Sequence, residues 1–147
     1  MPQSLSFVLI HLVFSTKDRS PFLTPLIATE LYPYLASVAR ATHCECYRIG
    51  GVADHVHLAI RLSRTTTIAH LIEQLKTCSS KWLKPQSPTF AWQRGYAAFS
   101  TNPSDADTLL HYIDTQEQHH KKHNFQEELR TLLTNHGIEH DERYMWD

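Results

Sequence analysis

The chain has almost no net charge: fourteen lysines and arginines stand against fifteen aspartates and glutamates, −1 overall with histidine neutral. Such a balance argues against salt-driven coating of nucleic acid by the whole surface and points to a local basic patch for any such contact. There is no apolar run long enough to span a bilayer and no low-complexity tract, and the polar opening Met1-Pro2-Gln3-Ser4 is unlike a secretory leader. A cytoplasmic protein with no membrane partner is expected. Cysteine is scarce and odd in number, and Cys44, Cys46 and Cys78 lack both Cys-x-x-Cys and zinc-ribbon spacing. That removes a disulfide framework and a thiolate zinc site, leaving reduced thiols without assigned chemistry. No repeat or linker interrupts the 147 residues, so residues 1–147 are expected to form one domain.

What is present reads as alternating strands and helices. Residues 5–15 are rich in β-branched and aromatic side chains and form a first, mostly buried strand. Thr24-Pro25 caps a helix that runs to about Ala41. Residues 43–51 and 55–62 alternate as two strands joined through Gly50-Gly51-Val52-Ala53-Asp54 in a hairpin. From Thr67, Ile68, Leu71, Ile72, Leu75, Cys78 and Trp82 recur at helical spacing up to Pro85. Residues 96–101 form a fourth strand, and Asn102-Pro103-Ser104-Asp105 starts a helix that, if it persists, reaches His123. Asn124 with Glu127 starts the last helix, Phe125 to Asn135, which Gly137 closes. Strand, helix, strand, strand, helix, strand is the order of an α+β, ferredoxin-like βαββαβ core with an antiparallel sheet, here followed by C-terminal helices.

Two motifs carry chemistry. In Asp54-His55-Val56-His57-Leu58 the period of two puts both imidazoles on one face of a strand, where a neutral pair can share an ion if a third ligand arrives. In the helix opened by Pro103, Ala106, Leu109, Leu110 and Ile113 face the core, while Tyr112, Gln116, His119 and His123 form a second stripe. A metal held by His55, His57 and Gln116 polarises a phosphodiester oxygen and stabilises the charge that develops as Tyr112 attacks phosphorus, giving a covalent phosphotyrosine. The competing reading leaves Tyr112 with its hydroxyl in water on a solvated, histidine-rich face. His11 reads either as a core histidine, the reading preferred, or as an outer partner of the metal ligands.

Together, His-hydrophobic-His on a strand and Tyr-Ile-x-x-Gln-x-x-His-His on a helix resemble the single-tyrosine HUH transposases of small bacterial insertion sequences, the insertion-sequence-two-hundred-like and REP-associated tyrosine transposases. The likeness extends through His-Leu-Val-Phe-Ser-Thr-Lys-Asp-Arg-Ser-Pro near the start, residues 75–83, residues 92–96 and Asp141-Glu142-Arg143-Tyr144. The resemblance implies a homodimeric enzyme that binds single-stranded, hairpin-bearing element ends and cleaves and rejoins DNA through a 5′-phosphotyrosine. Tyr112 is then the nucleophile, on the C-terminal helices, and His55, His57 and Gln116 hold Mg2+ or Mn2+. A tyrosine helix in that family can serve the partner subunit's histidines. Lys17, Arg19, Lys81, Lys84 and Arg94 are candidate phosphate contacts, with Trp82 and Trp92 as base-stacking candidates; the alternative puts the lysines on a wet helix face and Trp82 in the core, where its helical phase places it. The acidic C-terminal residues, Glu127 and Glu128 among them, are expected to keep away from the DNA or contact another part of the dimer. Two other readings stand beside this one: a domesticated hairpin-binding relative that does not mobilise its own element, and a metal-dependent hydrolase in which Tyr112 is structural.

Overall fold

The computed structural model describes residues 2–146. Strands β1 (Leu9–Ser15), β2 (Glu45–Val52), β3 (His55–Arg61) and β4 (Ala97–Thr101) form one antiparallel sheet in the order β2-β3-β1-β4. Helices α1 (Pro25–Ala41) and α2 (Ile68–Leu83) make the two crossovers, so the ferredoxin-like βαββαβ core is as expected. Thr24 and Thr67 cap these helices by accepting hydrogen bonds from the Ile27 and His70 amides. Strand β1 is shorter than the sequence suggests. Leu9 pairs with Arg61 on one side and Thr101 on the other, so the residues before it run past the ends of both neighbours.

The period of two divides β1 and β3 between two different environments. Ile10, Leu12 and Phe14 of β1 and Val56, Leu58 and Ile60 of β3 pack with Leu31, Leu35, Leu71 and Leu75 of α1 and α2 into the main core. On the opposite face lie His11, Val13, His55, His57 and Ala59, covered by α3 (Ala106–Asp114) and α5 (Phe125–Asn135) through Leu109, Ile113, Phe125 and Leu129. Both histidines of the motif are therefore sealed between the sheet and a second helical layer.

The helix expected to continue towards His123 is broken. Helix α3 stops at Asp114, Thr115 leaves helical geometry at φ −100° and ψ 19°, and a single turn, α4 (Gln116–His119), follows. The Thr115 hydroxyl donates to the carbonyls of His111 and Tyr112, offering the backbone a local alternative to continuing the helix.

Gly50 sets how close α3 can come. It pairs with His57 across β2 and β3, and a Cβ there would lie 2.5 Å from the Ile113 carbonyl oxygen and 2.8 Å from Ile113 Cγ2. Gly50→Ala is expected to push α3 off the sheet at a cost of about 1–3 kcal/mol. Urea denaturation measures that loss, and an unchanged midpoint would show that α3 does not need this close approach.

Candidate metal centre and active site

His55 and His57 open β3 and are fully buried. The hairpin turn places Asp54 Oδ1 2.7 Å from His55 Nδ1, and β1 places His11 Nε2 2.7 Å from His57 Nδ1. His11 is thus the outer partner of a motif histidine, where the sequence favoured a purely structural role. With the Nδ1 positions engaged, both Nε2 atoms point into the space between the sheet and α5.

Three elements converge on that space. Tyr112, half-buried on α3, has its ring centroid 5.6 Å from that of His57 and donates its hydroxyl to Glu128 Oε2. Gln116, one turn on from Tyr112, faces the same space. Its Nε2 donates to the Tyr112 carbonyl at 3.3 Å, which turns Oε1 towards His55 Nε2 at 3.2 Å and His120 Nε2 at 3.0 Å. Helix α5 brings Glu128, whose Oε1 lies 2.9 Å from His57 Nε2 and 3.2 Å from both His55 Nε2 and His120 Nε2.

The donor chemistry fits a cation. When His55 is neutral and donates Nδ1–H to Asp54, its Nε2 carries a lone pair, yet both neighbours of that nitrogen are acceptor oxygens, from Gln116 and Glu128. A positive charge between them removes the conflict, whether a proton or an ion. One ligand atom from each of His55, His57, His120 and Glu128 lies within 4.8 Å of the others.

Electrostatics follows from burial and these contacts. Burial drives His57 down to about 4 and His11 down to about 3, the latter helped by the charge of His57. Burial also opposes charge on His55, but hydrogen bonds to Asp54 and Glu128 prevail and raise it to about 9. For Glu128 burial disfavours the charge, and the contacts with His120, His55 and His57 overcome it, holding the carboxyl well below the usual range. Burial, then the Glu128 charge, pushes the Tyr112 phenol above its ordinary value, so the tyrosine is neutral at rest.

The sequence-derived site is brought together in part. Tyr112, His55, His57 and Gln116 meet within one chain, but His123 turns outward to pair with Glu127 at 3.2 Å, and His120 takes the inner place. Glu128 departs from the expectation for the acidic C-terminal residues: it lies at the centre of the cluster. Its signal was its helical phase, since Phe125, Glu128, Leu129 and Leu133 are the buried residues of α5 and a carboxylate shares their stripe. Lys17 and Arg94 line a cleft of about 390 Å3 beside the strand end where Ser15 pairs with His55. Arg19 lies over the Trp146 ring. Lys81 sits on α2 and Lys84 just past its end, across the sheet from the histidines. Trp92 is core, packed on Phe14 and Phe90 with its indole N–H donated to Ser79, and Trp82 is stacked on Tyr34, so neither ring stands free for a base.

A family model described as "Transposase IS200 like" matches residues 4–116. No curated protein matches the chain. Among solved structures, a "putative transposase" from Deinococcus radiodurans R1 superposes with a TM-score of 0.64 at 20% identity, covering 79% of this chain and 95% of that one. A REP-associated tyrosine transposase bound to a REP hairpin gives a TM-score of 0.60 at 13% identity, covering 82% of this chain and 74% of its own. Among the described residues, no helix is long and apolar enough to cross a membrane.

The three shifted histidines give metal-free protein a definite pH dependence. The raised His55 contributes stability that is full below pH 6.5 and lost as pH rises through about 9. The lowered His57 and His11 are best accommodated above pH 6.5, and stability falls from there towards about 4 as the unfolded chain takes up the protons they refuse. In chelator-treated protein the melting temperature is expected to peak near pH 6.5, and His55→Asn to flatten its alkaline limb. A melting temperature independent of pH between 6.5 and 9 would contradict the His55 assignment.

Proposed function

Because the chain belongs to the IS200-like transposase family, we propose that it cleaves and rejoins single-stranded DNA through a phosphotyrosine at Tyr112, with hairpin-bearing element ends as substrate. The observation that supports this is the joining of the phenol to the buried histidine pair through one carboxylate: Tyr112 and His57 contact the two oxygens of Glu128. Hairpin DNA as the partner is supported by the structural relative bound to a REP hairpin.

Chain residues account for most of the reaction. Tyr112 is approached from two sides, by a cleft of about 230 Å3 lined by His119, Glu127 and Leu132 and another of about 340 Å3 lined by His11, Phe99 and His136. The phenol oxygen attacks phosphorus, the bond from phosphorus to the 3′ oxygen breaks, and a free 3′-hydroxyl leaves while the 5′-phosphate stays esterified to Tyr112. Glu128 Oε2 accepts the phenol hydrogen bond and orients the attacking oxygen, and half-exposed His119, whose Nε2 is 3.4 Å from that carboxylate oxygen, takes the phenol proton to solvent. Attack on the phosphotyrosine by a 3′-hydroxyl reverses the step and rejoins DNA without outside energy. His55, His57 and Gln116 would hold a divalent ion, Mg2+ or Mn2+ in this reading, which would supply positive charge for the phosphate oxygens. Lys17, Arg19 and Arg94, at the same sheet end as His55, hold the strand by its phosphates. A homodimer is part of the proposal, to be checked by mass in solution, although Tyr112 meets the histidines of its own chain.

Incubation with divalent metal and single-stranded oligonucleotides from the flanking DNA is expected to yield a denaturant-resistant protein–DNA adduct. Tyr112→Phe should abolish it, and His57→Ala should lower its rate at least about 100-fold. An adduct that survives Tyr112→Phe would transfer the nucleophile elsewhere.

A further inference from the structure

The family match ends at Gln116, yet two residues beyond it, His120 and Glu128, are as deep in the cluster as the motif histidines: their side chains are 9% and 1% exposed. His120 repeats the conflict seen at His55. Its Nδ1 lies 2.7 Å from the His123 carbonyl oxygen, which can only accept, so Nδ1 carries the proton. In the neutral ring Nε2 is then a lone pair, facing Gln116 Oε1 at 3.0 Å and Glu128 Oε1 at 3.2 Å. Two imidazole lone pairs thus aim at the same two acceptor oxygens. The third imidazole, His57, reaches the same Glu128 oxygen.

We propose that His120 and Glu128 join His55 and His57 as ligands of one first-row transition ion, a three-imidazole, one-carboxylate centre. This rests on the metal-dependent reading above and changes its ion class. Magnesium and manganese prefer oxygen ligands, and magnesium retains its waters, whereas three imidazoles suit iron, nickel, copper or zinc, with cobalt between iron and nickel in affinity. The carboxylate divides its work: Oε1 faces the ion and Oε2 holds the Tyr112 hydroxyl. Ligation through Glu128 also ties α5 to β3, so loading the centre stiffens a helix that otherwise packs mainly through Phe125, Leu129 and Leu133.

Calorimetric titration of metal-free protein with Co2+, Mn2+ and Mg2+ tests this without reference to activity. One Co2+ per chain is expected, with Mg2+ at least about tenfold weaker. Glu128→Gln and His120→Asn should each weaken Co2+ at least about tenfold and alter its visible absorption. Wild-type protein provides a check that needs no variant: paramagnetically shifted ring signals from three imidazoles in the Co2+ complex, where ligation by His55 and His57 alone gives two. Two shifted rings, with unchanged affinity in both variants, would overturn this proposal and leave the His55-His57-Gln116 reading standing. Absence of Co2+, Mn2+ and Mg2+ binding at millimolar concentration would remove both metal readings, leaving protons as the cluster's positive charge and the Tyr112 adduct as a separate question.

Discussion

Glu128 reaches the space between sheet and helices from α5, nearly sealed from water, and its charge must be met by the groups around it. The groups available are four imidazole nitrogens and a phenol, which come from β3, α4 and the turn after it, and α3. Removing one member of such a buried charged set typically costs about 3–5 kcal/mol, because the remaining charge loses its partner without regaining water. The second helical layer is therefore held to the sheet by a polar knot as well as by its modest apolar contacts. Asp54 and His11 orient the two motif rings from their Nδ1 sides, and the carboxylate meets them at Nε2.

The geometry around this carboxylate depends on small backbone permissions. Gly50 lets α3 lie against β2 opposite His57, which puts Tyr112 within reach of the histidines. Thr115 ends that helix one residue before Gln116, and beyond the break His120 meets the Gln116 amide while His123 pairs with Glu127. Each is a local event of one residue, and each decides the position of a group that the chemistry requires.

The fold was legible because its signals are local and repeated: capping threonines, prolines at helix starts, and apolar residues at periods of two or 3.6. The histidine pair and Tyr112 were legible for the same reason, since strand alternation and helical phase give direction. His120 and Glu128 were missed because their placement depends on events that phase does not encode. His120 enters only after the helix breaks, and that break turns on one threonine hydroxyl. Glu128 was grouped with an acidic tail by charge, although its place on the apolar stripe of α5 marked it as buried. Trp92 went astray in the opposite direction, since an aromatic residue in a loop next to an arginine looks available until Phe14 and Phe90 close around it.

The contact between His11 and His57 has a consequence for how the centre fills. Neutral His57 that donates Nε2–H to Glu128 must accept at Nδ1, so His11 holds its proton on Nε2. Ligation through His57 Nε2 requires that hydrogen to leave, and the ring can regain one at Nδ1 only from the side of His11. If the proposed ion binds there, filling the centre would exchange a cation for a proton, with two stacked imidazoles as the relay, and occupancy of the site would be bound to the acidity of its surroundings.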